Sequence, residues 1–286
     1  MIGFMKVIVA EKCGFCPGVK NAINMAEKVL ASEENIYSLG PIIHNKNEVE
    51  RLAKAGLKTV NSVDQIHSGT VIIRSHGAAP EQIKVLKEKG VKIVDATCVL
   101  VKRVQQIAKE LSKDGYRVVV IGDENHPEVR AVVGCAEDVI VIGGRSDLHK
   151  LPKNGRLGVV CQTTQGPEHF SRMLCAIGKY GFSELKVMNT LCREAIKRQE
   201  SAVELCKRVD VMFVLGGLES ANTCRLAELC KKYNNKTFHL QNWGEFDKRM
   251  VFGKKVAGVT AGASTPEWII SEFVENLTGF NTGSDG

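Results

Sequence analysis

The segment CVLVKRVQQIAKELSKDGYRVVVIG, residues 98–122, combines a helix pattern and a strand pattern that together indicate the architecture of the chain. Its first half repeats apolar side chains at the spacing of one helix face, at Val101, Val104, Ala108 and Leu111. Its second half, 117–122, is an apolar run closed by glycine, which is typical of a buried strand. The stretch therefore predicts a helix that begins after Cys98 and leads directly into a strand.

The same register occurs at two other places in the chain. A cysteine stands 24 residues before the glycine that closes an apolar run in three pairs: Cys16 and Gly40, Cys98 and Gly122, and Cys192 and Gly216. Four residues beyond each glycine is a polar side chain suited to anions, namely His44, His126 and Ser220. Such an internal repeat predicts three related structural units.

Each repeat also has a second strand that runs into a turn and then Pro-Glu, at 75–81, 162–168 and 261–267. Proline followed by glutamate is typical of a helix start. Further strand patterns occupy 6–10, 36–40, 71–75, 92–95, 139–143, 157–161, 209–217 and 256–260. This alternation of strands and helices predicts largely parallel sheets that are covered by helices on both faces.

We therefore expect an α/β fold built from three related small units with mainly parallel sheets. The predicted boundaries are 1–97, 98–191 and 192–278, followed by a tail at 279–286. The repeated cysteine, the His or Ser and the Pro-Glu turn all fall at strand carboxyl ends, where open α/β sheets bind ligands. A pseudo-three-fold arrangement of the units would bring these edges to one central site.

The composition excludes several classes of protein. The net charge of +7 is dispersed, because no Lys/Arg run exceeds two residues, and this argues against nucleic-acid binding. Apolar runs such as 211–215 are far shorter than the roughly 18 residues of a membrane span. The first residues lack the pattern of a secretory signal, so we expect a cytoplasmic protein. The modest positive excess of charge suits an anionic small-molecule substrate.

The ten cysteines raise the question of which thiols are functional. The three repeated ones, Cys16, Cys98 and Cys192, could supply three ligands and leave one metal position open. An iron–sulfur cluster, a three-thiolate zinc site and no metal all remain open on spacing alone. Cys13 forms a C-x-x-C with Cys16, so a redox pair is a further alternative. The other six fit strand or helix patterns and are expected in cores.

A series of motifs resembles that of the 4-hydroxy-3-methylbut-2-enyl diphosphate reductase family. The matching segments are GFCPGV at 14–19, IHN at 43–45, SHG at 75–77, DATC at 95–98, HPEV at 126–129, QTT at 162–164, RQE at 198–200 and VTAGAS at 259–264. Their order and spacing agree from about residue 6 to residue 277, so the resemblance covers nearly the whole chain.

The resemblance implies a [4Fe-4S] cluster at the centre of three α/β domains, held by Cys16, Cys98 and Cys192. It implies the last step of the non-mevalonate isoprenoid pathway, a two-electron reductive dehydroxylation of an allylic alcohol diphosphate. The products would be isopentenyl and dimethylallyl diphosphates. A ferredoxin or flavodoxin is the electron donor that the family leads us to expect.

The resemblance also implies roles for single residues. Glu128 would be the acid or proton relay, and Thr163 would bind the substrate hydroxyl and orient Glu128. The residues matching diphosphate-binding positions are His44, His76, His126, Ser220, Asn222 and Ser264. Without the motif, Glu128 reads as an ordinary glutamate in the first turn of a helix. The chain departs from the family at Ala221, where a second serine is common, and in its short tail after Phe280.

Two other functions stay open at this point. A different iron–sulfur dehydratase or lyase could use an open iron without external electrons. A thiolate-metal sensor would be no enzyme, and it would have little use for Glu128, Thr163 and the histidines.

Overall fold

The computed structural model describes residues 5–280 and contains twelve strands and nine α-helices in that range. The strands are β1 (Lys6–Val9), β2 (Ile36–Leu39), β3 (Lys58–Val60), β4 (Thr70–Ile73), β5 (Lys92–Asp95), β6 (Arg117–Ile121), β7 (Ile140–Ile142), β8 (Arg156–Cys161), β9 (Glu184–Val187), β10 (Val211–Leu215), β11 (Thr237–Leu240) and β12 (Val256–Ala261). The helices are α1 (Pro17–Leu30), α2 (Lys46–Lys54), α3 (Pro80–Glu88), α4 (Val99–Lys113), α5 (Pro127–Val133), α6 (Pro167–Ile177), α7 (Arg193–Cys206), α8 (Ala221–Tyr233) and α9 (Glu267–Gly279).

The strands form three parallel four-stranded sheets with one common topology. The first sheet has the order β3-β2-β4-β5, the second β7-β6-β8-β9 and the third β11-β10-β12-β1. We number the strands within the three sheets as β2, β3, β4, β5; β6, β7, β8, β9; and β10, β11, β12, β1. With this numbering the first strand of each sheet lies between the second and the third, and the fourth is at an edge. The α/β class and the three related parallel sheets are therefore confirmed.

The third sheet takes its fourth strand from the beginning of the chain. β1 pairs in parallel with β12, with Lys6 beside Val256 and Val9 beside Val259. The boundaries 1–97, 98–191 and 192–278 stay a prediction, and they do not include this pairing. The first and second sheets take their fourth strand from the residues that follow the third strand, whereas the third sheet takes it from the N-terminal part of the chain.

By contacts, the described chain divides into two compact units. One contains residues 5–19, 44–50 and 193–280 and holds the third sheet; the other contains 20–43 and 51–192 and holds the first and second sheets. Of the predicted tail, Gly279 ends α9 and Phe280 packs with its ring centroid 5.3 Å from that of Phe246. Residues 281–286 lie outside the described range.

The cores follow from the alternation of side chains along the central strands. In the third sheet, the alternate residues Val211, Phe213 and Leu215 of β10 pack with α9. Met212 and Val214 point to the other face and pack with α7 and α8. In the second sheet, Val119 packs with α6 and Val118 with α4. Both faces of these two sheets are buried, which explains their near-continuous apolar sequences. Among residues 5–280, no helix has the length and apolar character needed to cross a membrane.

Three strands have no counterpart among the predicted ones, and all three are edge strands. They are β3, β9 and β11, which lie at the margins of the first, second and third sheets. Edge strands contact a neighbour on one side only and tolerate polar residues. Their sequences, KTV, ELKV and TFHL, therefore lack the apolar run that marks the central strands.

Candidate active site

The three repeated cysteines have the same backbone setting. Each follows the fourth strand of a sheet and stands directly before a helix, α1, α4 or α7. The backbone N–H of each donates to a carbonyl in the loop after the third strand: Cys16 to Ala263 at 3.2 Å, Cys98 to Ser75 at 3.0 Å and Cys192 to Thr163 at 2.8 Å. Each acceptor is the second residue beyond its strand. The sequence repeat therefore corresponds to a repeated hydrogen bond.

This setting suits thiolate ligands. Helix N-termini stabilise a negatively charged sulfur, and the backbone N–H of Val19 lies 3.4 Å from the Cys16 Sγ. Cys16, Cys98 and Cys192 are partly exposed. Of the six cysteines expected in cores, Cys161, Cys206 and Cys230 are buried, but the expectation is wrong for Cys135 and Cys224, which are partly exposed, and for Cys175, which is exposed. As a set of soft donors at equivalent backbone positions, the three thiols fit a metal–sulfur group.

Cys13 differs from these three. Burial raises the pKa of its thiol to about 12, although the nearby Arg198 charge acts in the opposite direction. A thiol with such a pKa is protonated at neutral pH and is a poor nucleophile. Cys13 is therefore not equivalent to the three cysteines that stand directly before helices.

Glu128 and Thr163 form a buried pair at the carboxyl ends of two adjacent strands. Glu128 is the second residue of α5, just beyond β6, and Thr163 is the second residue after β8. The backbone N–H of Thr163 donates to Glu128 Oε1 at 2.6 Å, and its hydroxyl donates to Oε2 at 2.8 Å. Only 2% of Glu128 is exposed. β6 and β8 are the two central strands of the order β7-β6-β8-β9, and the chain order reverses between them, which is where such folds bind ligands.

Burial gives Glu128 an unusual proton affinity. Removal from water raises the pKa of the carboxyl group to about 7, and the two hydrogen bonds from Thr163 act against this rise. A carboxyl group with that pKa can hold or release a proton near neutral pH. The carboxyl group of Glu128 therefore has the proton affinity that a general acid or base requires at neutral pH.

Two histidines lie close together in the same unit as Glu128. The rings of His76 and His126 are 5.4 Å apart between centroids and meet edge to face. His126 precedes α5, and its Nδ1 accepts a hydrogen bond from the Glu128 backbone N–H at 3.2 Å. In the neutral ring the proton is then on Nε2, which can donate to an anion. Gly77, after His76, has a φ of +80°, so glycine is needed to turn the loop there.

A second polar cluster belongs to the other unit and consists of His44, Ser220, Asn222 and Ser264. The Ser264 hydroxyl donates to the His44 carbonyl at 3.1 Å, and its Oγ lies 3.4 Å from the Ser220 Oγ. Ser220 precedes α8, and its Oγ accepts from the backbone N–H of Thr223 at 3.3 Å and from the Thr223 hydroxyl at 3.0 Å. We call these four residues the serine cluster.

Asn222 gives the serine cluster an unused donor. Asn222 is 9% exposed, and its buried Nδ2 has no hydrogen-bond partner among the described residues. Buried donors are nearly always satisfied, so this amide N–H is a candidate donor to a ligand oxygen. At the neighbouring position Ala221 begins α8 and supplies no hydroxyl.

The structure thus distributes the predicted site residues between the two units. His44, Ser220, Asn222, Ser264 and Cys16 belong to one unit; His76, His126, Glu128, Thr163, Cys98 and Cys192 belong to the other. Within the first unit, hydrogen bonds link His44, Ser220 and Ser264. Within the second, they link Glu128 with Thr163 and with His126.

The fold and these groups define a class: a parallel α/β protein with three cysteines at equivalent helix starts and a buried carboxyl group of raised pKa. The sequence profile described as LytB protein matches residues 7–278. The chain belongs to the LytB protein family, and the resemblance inferred from the motifs is confirmed.

Relatives with similar sequences are named alike. The 4-hydroxy-3-methylbut-2-enyl diphosphate reductase of Pelobacter propionicus is 44% identical over 97% of this chain and 99% of its own length. The reductase of the same name from Geobacter sulfurreducens is 41% identical over 99% of this chain and 100% of its own length. The chain is thus similar to these enzymes from end to end.

Two solved structures resemble this one. One, described as (E)-4-hydroxy-3-methyl-but-2-enyl diphosphate reductase, the terminal enzyme of the non-mevalonate pathway, is 39% identical with a TM-score of 0.73. It covers 98% of this chain and 100% of its own. The other is the E-1-hydroxy-2-methyl-but-2-enyl-4-diphosphate reductase from Plasmodium falciparum, with 25% identity, a TM-score of 0.90, and coverage of 97% and 89%.

The structure adds residues that the sequence did not single out. Thr223 is fully buried and holds the Ser220 hydroxyl, and Glu48 is a buried carboxylate that contacts the start of α9. The spacing of Ser220 and Thr223, typical of a helix cap, could have revealed the first. Nothing in the sequence near Glu48 indicates its partner, because that partner lies 220 residues away.

Proposed function

We propose that this protein reduces (E)-4-hydroxy-3-methylbut-2-enyl diphosphate to isopentenyl diphosphate and dimethylallyl diphosphate. The reaction takes up two electrons and two protons, breaks the carbon–oxygen bond of the allylic alcohol and releases water. Full-length similarity to reductases of that name supports it. The observation that carries the chemistry is the buried Glu128 carboxyl group, held by two donors from Thr163.

Glu128 is the proposed proton donor. Hydroxide is a poor leaving group, so a proton must reach the oxygen as the bond breaks. With a pKa of about 7, the carboxyl group is protonated in a large fraction of molecules at neutral pH. The Thr163 hydroxyl keeps the carboxyl group in one orientation and would bind the substrate hydroxyl.

Cys16, Cys98 and Cys192 are the proposed ligands of a [4Fe-4S] cluster. The support is their chemistry and setting: three soft donors, each at a helix start, each anchored by the same backbone hydrogen bond. When bound, such a cluster supplies electrons and an open iron that can polarise the substrate oxygen. A ferredoxin or flavodoxin is the proposed electron donor and the cytoplasm the proposed location.

The diphosphate is proposed to bind to imidazole, hydroxyl and amide donors. These are His44, His76, His126, Ser220, Asn222 and Ser264. The Asn222 Nδ2 and the His126 Nε2 supply donors, and the start of α8 adds backbone N–H groups. This set binds an anion with few full positive charges.

Anaerobic turnover tests the proposal. Protein reconstituted with iron and sulfide is mixed with the substrate and a chemically reduced viologen, and dye oxidation and products are followed together. We expect two electrons consumed for each five-carbon diphosphate released. Turnover without electron consumption would show a dehydratase or lyase instead. Absence of turnover by fully loaded protein would contradict the proposal and would favour a sensor.

A further inference from the structure

The segment 44–50 has an unexpected position. It follows β2 of the first sheet in sequence, yet it groups with residues 193–280 in the unit of the third sheet. Its first residue contacts two loops of that unit. The His44 carbonyl oxygen accepts from the Ser264 hydroxyl at 3.1 Å, and a Cβ on Gly217 would be only 2.7 Å from it.

A second attachment lies four residues further along. Asn45, 3% exposed, directly precedes α2, and its Oδ1 accepts from the Glu48 backbone N–H at 3.1 Å. The Glu48 side chain is 1% exposed, and its Oε2 accepts from the Trp268 Nε1 at 3.3 Å. Trp268 is the second residue of α9. The segment is therefore fixed at its first residue by the Ser264 hydroxyl and at Glu48 by the indole of Trp268.

We infer that Glu48 and Trp268 are positioning residues for the diphosphate site: their hydrogen bond holds segment 44–50 on α9, so that His44 stays beside Ser220 and Ser264. This inference rests on the proposed diphosphate ligand. Neither residue belongs to the proposed ligand-contacting set. Both act through His44, whose loop would otherwise have to be ordered on binding at a cost in affinity.

The chemistry of the pair explains why it is specific. A carboxylate that is almost fully buried requires donors, and the indole N–H is a donor only. Phenylalanine at position 268 keeps an aromatic ring but lacks the donor. Glutamine at position 48 keeps an acceptor oxygen, whereas alanine removes it. The chain therefore allows a test that separates the hydrogen bond from packing.

The experiment uses the reconstituted protein and inorganic diphosphate as the probe, with calorimetry for the dissociation constant. We expect Trp268→Phe and Glu48→Ala each to weaken binding about tenfold. The double variant should lose no more than Glu48→Ala alone, since that variant already removes the acceptor of the Trp268 indole. Glu48→Gln should recover most of the loss. In turnover assays KM should rise more than kcat falls.

The control is Trp243→Phe, because Trp243 stacks on Phe246 in the core at 4.3 Å between centroids. It should lower the free energy of unfolding while leaving the diphosphate dissociation constant unchanged. Folded Trp268→Phe protein with wild-type affinity would overturn the inference, as would wild-type protein that does not bind diphosphate. Normal turnover with wild-type KM in Trp268→Phe would refute the positioning role and leave the reductase function intact. Weakened binding without any turnover would refute the function and leave the positioning role intact.

Discussion

Thr163 contacts both oxygens of the Glu128 carboxyl group with two different donors, its backbone N–H at 2.6 Å and its hydroxyl at 2.8 Å. The carbonyl of the same residue accepts from the backbone N–H of Cys192 at 2.8 Å. One residue thus links the buried acid to a proposed cluster ligand. The position of the acid depends on the loop that also anchors the cysteine.

Replacing Glu128 by Gln should abolish proton donation while preserving the fold. An amide oxygen can still accept from the Thr163 N–H, but the side chain no longer has an acidic proton. We expect a 10²- to 10⁴-fold loss of turnover with unchanged cluster absorbance. The matched control is Glu168→Gln, because Glu168 also follows a proline at a helix start in the same unit but is exposed. It should have normal activity.

The raised pKa of Glu128 makes stability depend on pH. The folded protein binds this proton up to about pH 7, whereas the unfolded chain loses it near the ordinary value of 4.5. The contribution to the free energy of unfolding therefore falls as pH rises from about 4.5 to about 7, by about 3 kcal/mol in total. Urea unfolding of wild type and Glu128→Gln across this range should show the difference. If the free energy of unfolding changed with pH in the same way in the two proteins, burial would not have raised the pKa of Glu128.

Thr163→Val should shift the pH profile of turnover. The hydroxyl hydrogen bond to the carboxylate lowers the pKa of Glu128, so its removal raises that pKa further. The residual activity should then persist to higher pH than in wild type, at a lower maximum. Thr163→Ser retains the hydroxyl and should keep the wild-type profile. An unshifted pH profile of turnover for Thr163→Val would refute the proposal that this hydroxyl lowers the pKa of Glu128.

Each of Cys16→Ser, Cys98→Ser and Cys192→Ser should lose most bound iron after reconstitution. The reason is that three ligands are the minimum proposed for the cluster, and a hydroxyl binds iron less well than a thiolate. Cys13→Ser should keep its iron, because the Cys13 thiol, with a pKa of about 12, remains protonated. Iron and sulfide analysis with electron paramagnetic resonance checks this. Full cluster content in any of the three would remove that residue from the ligand set.

Gly217→Ala should disturb the His44 segment. The new Cβ would be 2.7 Å from the His44 carbonyl oxygen, a main-chain atom that cannot move independently. We expect a loss of about 1–3 kcal/mol in the free energy of unfolding and weaker diphosphate binding. Gly279→Ala is the control, since no atom lies within 4 Å of the Cβ that it would add. If the two variants had the same free energy of unfolding and the same affinity for diphosphate, the close contact of residue 217 with the His44 carbonyl oxygen would be contradicted.

The internal repeat predicted the parts of the fold that depend on local sequence. The central strands have continuous apolar runs because both of their faces are covered, and Cys98 precedes a helix with one apolar face. The edge strand β9 could not be recognised in this way. Its residues are largely exposed, so its sequence has no burial pattern to read.

The sequence alone was enough to predict the central strands, the cysteines before helices α1, α4 and α7, and the motif series, since each depends on residues close together in the chain. Only the tertiary structure decided that β1 completes the third sheet and that segment 44–50 joins the serine cluster. It also buried Glu128 against Thr163, 35 residues away, and so raised its pKa. These contacts arise from strand order and burial, which bring distant residues together and which no local pattern encodes.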